Sequence, residues 1–176
     1  MTCDAYHLVW SRDLYQVGTA LIAAGDRDGA ERALEFLFER HQKPDGSFPQ
    51  NSLVDGTPRW TNLQLDEVAL PIVLAWQLER FDSATYTEHV KPAAEFVVAN
   101  GPDSPQERWE NQEGWSPGTI AAELAGLVAA ADIARRNGDD DSAQAWEPWP
   151  TTGSRRWTAG RPPRTARTRR GRTTCA

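Results

Sequence analysis

Apolar positions recur at helical spacing along most of this chain, and no segment alternates long enough to read as a strand. From Arg12 to Ala24, the residues Leu14, Val17, Leu21 and Ile22 share one helical face, and Gly25 ends the run. Asp26 or Asp28 can cap a second helix with Ala30, Ala33, Leu34, Leu37, Phe38 and His41 on its apolar side. A third helix is predicted from Leu65 to Glu79 with a kink at Pro71, and a fourth from near Ser83 to about Val98 with Pro92 as a second anomaly. Ser116 caps a fifth, Thr119 to Arg136, and Pro117 takes the first position, where a missing N–H costs nothing. This fifth helix is rich in Ala and Leu and predicts burial on more than one side. Asn137-Gly138 ends it, and Asp139 to Trp146 begins a sixth. The remaining aromatics Trp76, Phe36, Phe38 and Phe96 read as core.

Loop lengths organise these helices into hairpins. AGDR, RFDS and RNGDD are short, whereas residues 43–62 and 100–115 form long loops that are polar and aromatic. Paired helices are antiparallel, so the long loops emerge at one end of the stack. The segments WSRD, WTNLQLDE and RWENQEGWSPGT start the first, third and fifth helices and should meet at one mouth. Three such hairpins make about half of an all-α toroid.

Composition narrows the partners. A chain of 176 residues with 39% hydrophobic content can form one packed domain. Its net charge of −6 hides two halves: residues 1–150 carry all 25 acids against 11 basic residues, a net −14. Residues 151–176 carry eight arginines and no acid. The acidic body should repel nucleic acid, and no nucleic-acid partner is expected. Cys3 and Cys175 form no disulfide framework, and His7, His41 and His89 lack metal-ligand spacing, so neither metal nor cofactor is expected. No apolar run approaches the length of a membrane span and no leader pattern opens the chain, so no membrane partner is expected and the compartment is left open.

The chemistry gathers before the fifth helix, where Glu107, Glu110 and Glu113 surround Trp109 and precede Trp115. A carboxyl beside apolar rings tends to keep its proton, which suits a general acid, and aromatic faces stack on sugars. Glu110, directly after Trp109, has the most apolar local setting, and Glu107 and Glu113 read as solvated. The plainer alternative pairs Glu110 with Arg108. Likewise Asp13, Asp66 and Glu67 can be read as first-turn acids favoured by the helix dipole. The functional alternative gives Arg12 and Asp13 paired hydrogen bonds to sugar hydroxyls, with Trp10 as a stacking wall. Trp60, in a loop rich in Pro and Gly, needs either core or ligand to cover it.

Four segments, YHLVWSRDLYQVGTAL, QKPDGSFPQN, WTNLQLDEVALPI and RWENQEGWSPGTIAAELAGLVAAADIA, occur in an order and spacing that resemble the bacterial branch of the glucoamylase family of glycoside hydrolases. The resemblance runs from residue 6 to about 146. It implies an (α/α)6 toroid whose funnel holds an α-glucan or oligosaccharide and releases terminal glucose with inversion. It casts Glu110 as the general acid. It sets Arg12 and Asp13 on the terminal glucose with Trp10 beside them, and Trp60 near the scissile bond. Asp66 and Trp109 then help shape the pocket. Asn111 stands where other members carry a second substrate-binding glutamate, which leaves α-1,4, α-1,6 and trehalose specificity open. A glucodextranase or trehalase, or a non-catalytic sugar-binding remnant, is the alternative.

Inversion needs a second carboxylate roughly 6.5–9.5 Å from the acid. In the family this base lies downstream of residue 176, so residues 1–146 are expected to be the N-terminal half of the catalytic domain, inactive alone. Uncovered helix faces would then favour self-association. Residues 147–176 lose the helical period and are expected to be a disordered or frameshifted tail rich in Arg, Thr and Pro.

Overall fold

The computed structural model describes residues 7–110 and 112–147, so Asn111 and nearly all of the arginine-rich tail lie outside the described residues. Helices α1 (Ser11–Ala23), α3 (Leu65–Gln77) and α6 (Pro117–Arg136) pack side by side in that order. Each is backed by the helix that follows it: α2 (Arg27–Phe36) behind α1, α5 (Lys91–Asn100) behind α3, and α7 (Asp140–Trp146) behind α6. A one-turn helix, α4 (Ser83–Thr85), leads into α5. The fold is helical and matches the (α/α)6 class read from the sequence, of which the three hairpins form part.

Local chemistry sets the boundaries. Asp26, Asp82, Ser116 and Asp139 each accept a backbone N–H from the first turn they cap, at 2.9, 2.9, 3.5 and 3.1 Å. Gly25 leaves α1 at φ +83°, a conformation that costs glycine little. The second helix continues past α2 in a π-turn, Leu37–His41. The fourth is interrupted by another π-turn, Tyr86–Val90, which ends two residues before Pro92, whose ring nitrogen has no hydrogen to donate to the preceding turn. Helix α3 carries on through Pro71.

The core lies between α3 and α6. Val68, Ile72 and Ala75 from one and Leu127, Ala130, Ile133 and Ala134 from the other are fully buried in one apolar cluster, while the equally buried Leu74 side chain lies against Gly18 of α1. The close approach depends on Gly126, where a Cβ would stand 2.8 Å from the Ala69 carbonyl oxygen. By length and composition α6 could cross a membrane, contrary to the sequence expectation, but half of it is buried in this fold.

Three further expectations change. A two-stranded antiparallel hairpin, β1 (Asn51–Ser52) with β2 (Pro58–Trp60), occupies the first long loop. Its strands are too short for alternation to reveal them. Trp76 is not core: it is 44% exposed and its indole N–H donates to Asp132 at 2.8 Å. Phe36 and Phe96 are half-buried and Phe38 is buried. On α1, Leu14, Leu21 and Ile22 pack against the core, but Val17 stays exposed.

Candidate active site

The three segments that start α1, α3 and α6 meet at one end of the fold. Val9 and Ser52 exchange backbone hydrogen bonds at 2.8 and 3.0 Å, tying the entry of α1 to the hairpin. That contact sets the Trp10 and Trp60 rings edge to face, 6.0 Å apart. The third loop is closed on itself by reciprocal bonds between Ser104 and Gly114 and is joined to α3 twice. Leu65 N–H donates to Ser104 Oγ at 3.4 Å, and Gln64 Nε2 donates to Gln106 Oε1 at 3.2 Å.

Arg12 lies at the centre of this junction. Its Nη1 donates to Gln64 Oε1 at 3.0 Å and Asp66 Oδ2 at 2.9 Å, and lies 2.9 Å from Glu67 Oε1. Its backbone N–H donates to Glu67 Oε2 at 2.9 Å, so a carboxylate on α3 satisfies a donor that the first turn of α1 would leave open. Arg12, Asp66 and Glu67 are all buried. Burial works against a charged guanidinium, but Glu67 and Asp66 outweigh it and raise the Arg12 pKa. Burial pushes the Glu67 carboxyl up, against the opposing pull of Arg12. Asp66 and Glu67 are therefore more than acids answering a helix dipole. Asp13, next in the chain, is exposed.

The acid-bearing turn has a different construction from the one expected. Glu107 Oε1 accepts the Trp109 N–H at 2.9 Å, and the Glu107 carbonyl accepts the Glu110 N–H at 2.8 Å. Glu107 is thus buried, correcting its reading as a solvated acid, because the turn needs its carboxyl inside. Glu110 is held at φ +62°, in the left-handed region that non-glycine residues rarely occupy. It is exposed rather than enclosed by apolar rings, since Trp109 itself is 69% exposed. The Arg108 guanidinium lies over the Trp109 ring at 5.0 Å, and the hydrogen-bond partner of Glu110 is Gln50, whose Nε2 donates to Glu110 Oε1. Glu113 is exposed, as expected.

Sequence reasoning passed over Gln50, Gln106 and Glu123. Glu123 had a visible signal: an acid in the Ala/Leu stretch of a helix read as buried on several sides has few places to reach water. Gln50 and Gln106 carry no such mark, because only the fold brings them to the mouth.

The helical hairpins thus gather tryptophans and carboxyls from three loops around a buried arginine at one end of the fold. The chain belongs to glycosyl hydrolases family 15, which matches residues 42–152. It is 52% identical over 142 residues to the glucoamylase of Clostridium sp. (strain G0005), covering 81% of this chain and 20% of that one. It superposes on a bacterial glucoamylase crystallised with acarbose at TM-score 0.80 and 49% identity, covering 85% of this chain and 22% of that chain. The glucoamylase from Saccharomycopsis fibuligera, at 19% identity and TM-score 0.64, shares the fold, with 84% of this chain and 39% of that chain covered. The chain spans about a fifth of the length of the Clostridium enzyme.

Proposed function

We propose that residues 1–146 carry the acid-bearing and glucose-binding part of an inverting, exo-acting glucoamylase site. The observation that most favours this reading is Glu110. It is a carboxylate in a strained backbone conformation, hydrogen-bonded to buried Gln50, on the loop joined through Gln106 and Gln64 to Arg12. In the proposed reaction Glu110 protonates the glycosidic oxygen of an α-glucan, and a carboxylate from the rest of the family's domain activates water on the opposite face.

The glucose pocket is formed by Arg12, Asp13, Asp66, Trp10, Trp60 and Trp109, with Asn111 bearing on linkage preference. Arg12 Nη1 is committed to Gln64, Asp66 and Glu67, so its Nε–H and Nη2–H donors are the ones proposed to meet sugar hydroxyls. The similar bacterial enzyme, crystallised with acarbose, supports an oligosaccharide as ligand.

The test is a chimera of the Clostridium glucoamylase in which residues 7–147 of this chain replace the equivalent segment, assayed on starch, dextran and trehalose. The expected result is glucose release from starch with the β-anomer formed first. Preference for dextran or trehalose would assign the linkage differently. A folded chimera that binds oligosaccharide but hydrolyses none of the three would make this segment a sugar-binding remnant.

A further inference from the structure

Against α3, α6 turns a carboxyl into the interior. Glu123 is fully buried, and neither of its oxygens has a hydrogen-bond partner among the described residues. Thr119 lies one turn earlier on the same face of α6, and its hydroxyl is likewise buried without a partner. Across the α3–α6 contact, Asp66 uses Oδ2 for Arg12, while its Oδ1 is buried and unpartnered. Four buried polar oxygens on two packed helices would be costly if left dry. A buried water needs two to four polar partners, and these atoms offer them.

We propose that Thr119, Glu123 and Asp66 line a buried water site at the α3–α6 contact, in which the Glu123 carboxyl donates and Asp66 Oδ1 accepts. Glu123 is thereby a positioning residue that fixes Asp66 in its ion pair with Arg12. Charge balance supports the direction of donation. The positive charge of Arg12 is matched by Asp66 and Glu67, with exposed Asp13 close by. The charges that act on Glu123 are those of Asp66 and Asp103, both negative. Burial first, and those two acids after it, push Glu123 up to about 8. A protonated acid there avoids an unpaired buried charge and supplies the missing donor.

Only the link from Arg12 to sugar binding rests on the proposed function, and the test reads neither binding nor hydrolysis. Infrared difference spectra of the full chain, with carboxyl-labelled glutamate, should show a protonated carboxylic acid at pH 7. The band should vanish in E123Q and persist in E67Q. In D66N its titration midpoint should fall by about one pH unit or more, because a neighbouring negative charge is gone.

The positioning role is read from solvent exchange at the Arg12 Nε–H by NMR. Exchange should accelerate at least about tenfold in E123L and stay within about threefold of wild type in E123Q, whose amide keeps a donor. Should E123L fail to fold, the E123Q and D66N spectra still decide the matter. The proposal is overturned by the absence of a protonated Glu123 at pH 7, by a D66N midpoint that does not move, or by unchanged Arg12 exchange in folded E123L. An inactive chimera would sink the glucoamylase reading and leave this one standing.

Discussion

Gln50, buried at the entry to β1, donates from Nε2 to Glu110 Oε1 on a turn sixty residues further along the chain. A donor favours the ionised carboxylate, yet a general acid must also be held while protonated. An amide can do both. Gln50 Oε1 is buried without a partner, and rotating the amide would let it accept from a protonated Glu110. Gln50→Leu in the chimera should therefore lower kcat by about 10- to 100-fold. KM should stay within about threefold of the parent chimera. Steady-state kinetics checks this.

The buried acids set a pH dependence of stability. Burial pushes Glu123 up to about 8, above the ordinary glutamate value of 4.5. Between those pH values the folded chain holds protons that the unfolded chain has lost. Stability therefore falls as pH rises from about 4.5 to about 8, by up to about 1.4 kcal/mol per pH unit. Burial raises Glu67 as well, but its ion pair with Arg12 opposes the rise, so Glu123 should carry the larger share. Urea unfolding across that range should slope downward, and Glu123→Gln should flatten it.

Gly126 lets α3 and α6 approach, and an added Cβ would meet the Ala69 backbone rather than a flexible side chain. Gly126→Ala should destabilise the chain by about 1–3 kcal/mol, despite the better helix propensity of alanine. Urea denaturation at fixed pH measures it.

An apolar groove between α1 and α2 is lined by Leu14, Val17, Leu21, Phe36 and Val54, with Val17 51% and Val54 75% exposed. Its volume is about 330 Å³. Exposed apolar patches promote association. The double variant Val17→Lys, Val54→Asp should shift sedimentation toward monomer at concentrations where the parent chain associates.

Much of this was legible in the chain. Short and long loops alternate, and that alone brings the starts of α1, α3 and α6 to one mouth, where Arg12 meets Asp66 and Trp10 meets Trp60. Ser116-Pro117 and Gly25 marked helix ends because their backbone chemistry is local. What escaped depends on partners distant in sequence. Whether Glu107 or Glu110 faces inward is decided by the N–H groups of the turn, not by the neighbouring tryptophan. Glu67 looked like an ordinary first-turn acid until Arg12, 55 residues earlier, put its backbone N–H on the carboxylate. Trp76 is left half uncovered because Asp132 holds its indole N–H at the surface.

The central claim is that Glu110 is the general acid, and the most direct measurement is Glu110→Gln in the Clostridium chimera, assayed on a maltooligosaccharide. The amide keeps the shape and can still bond to Gln50 but has no proton to give. Loss of general acid catalysis predicts a fall in kcat of about 10²- to 10⁴-fold, with KM within a few-fold of the parent. A variant that keeps kcat within about tenfold of the parent chimera would contradict the assignment.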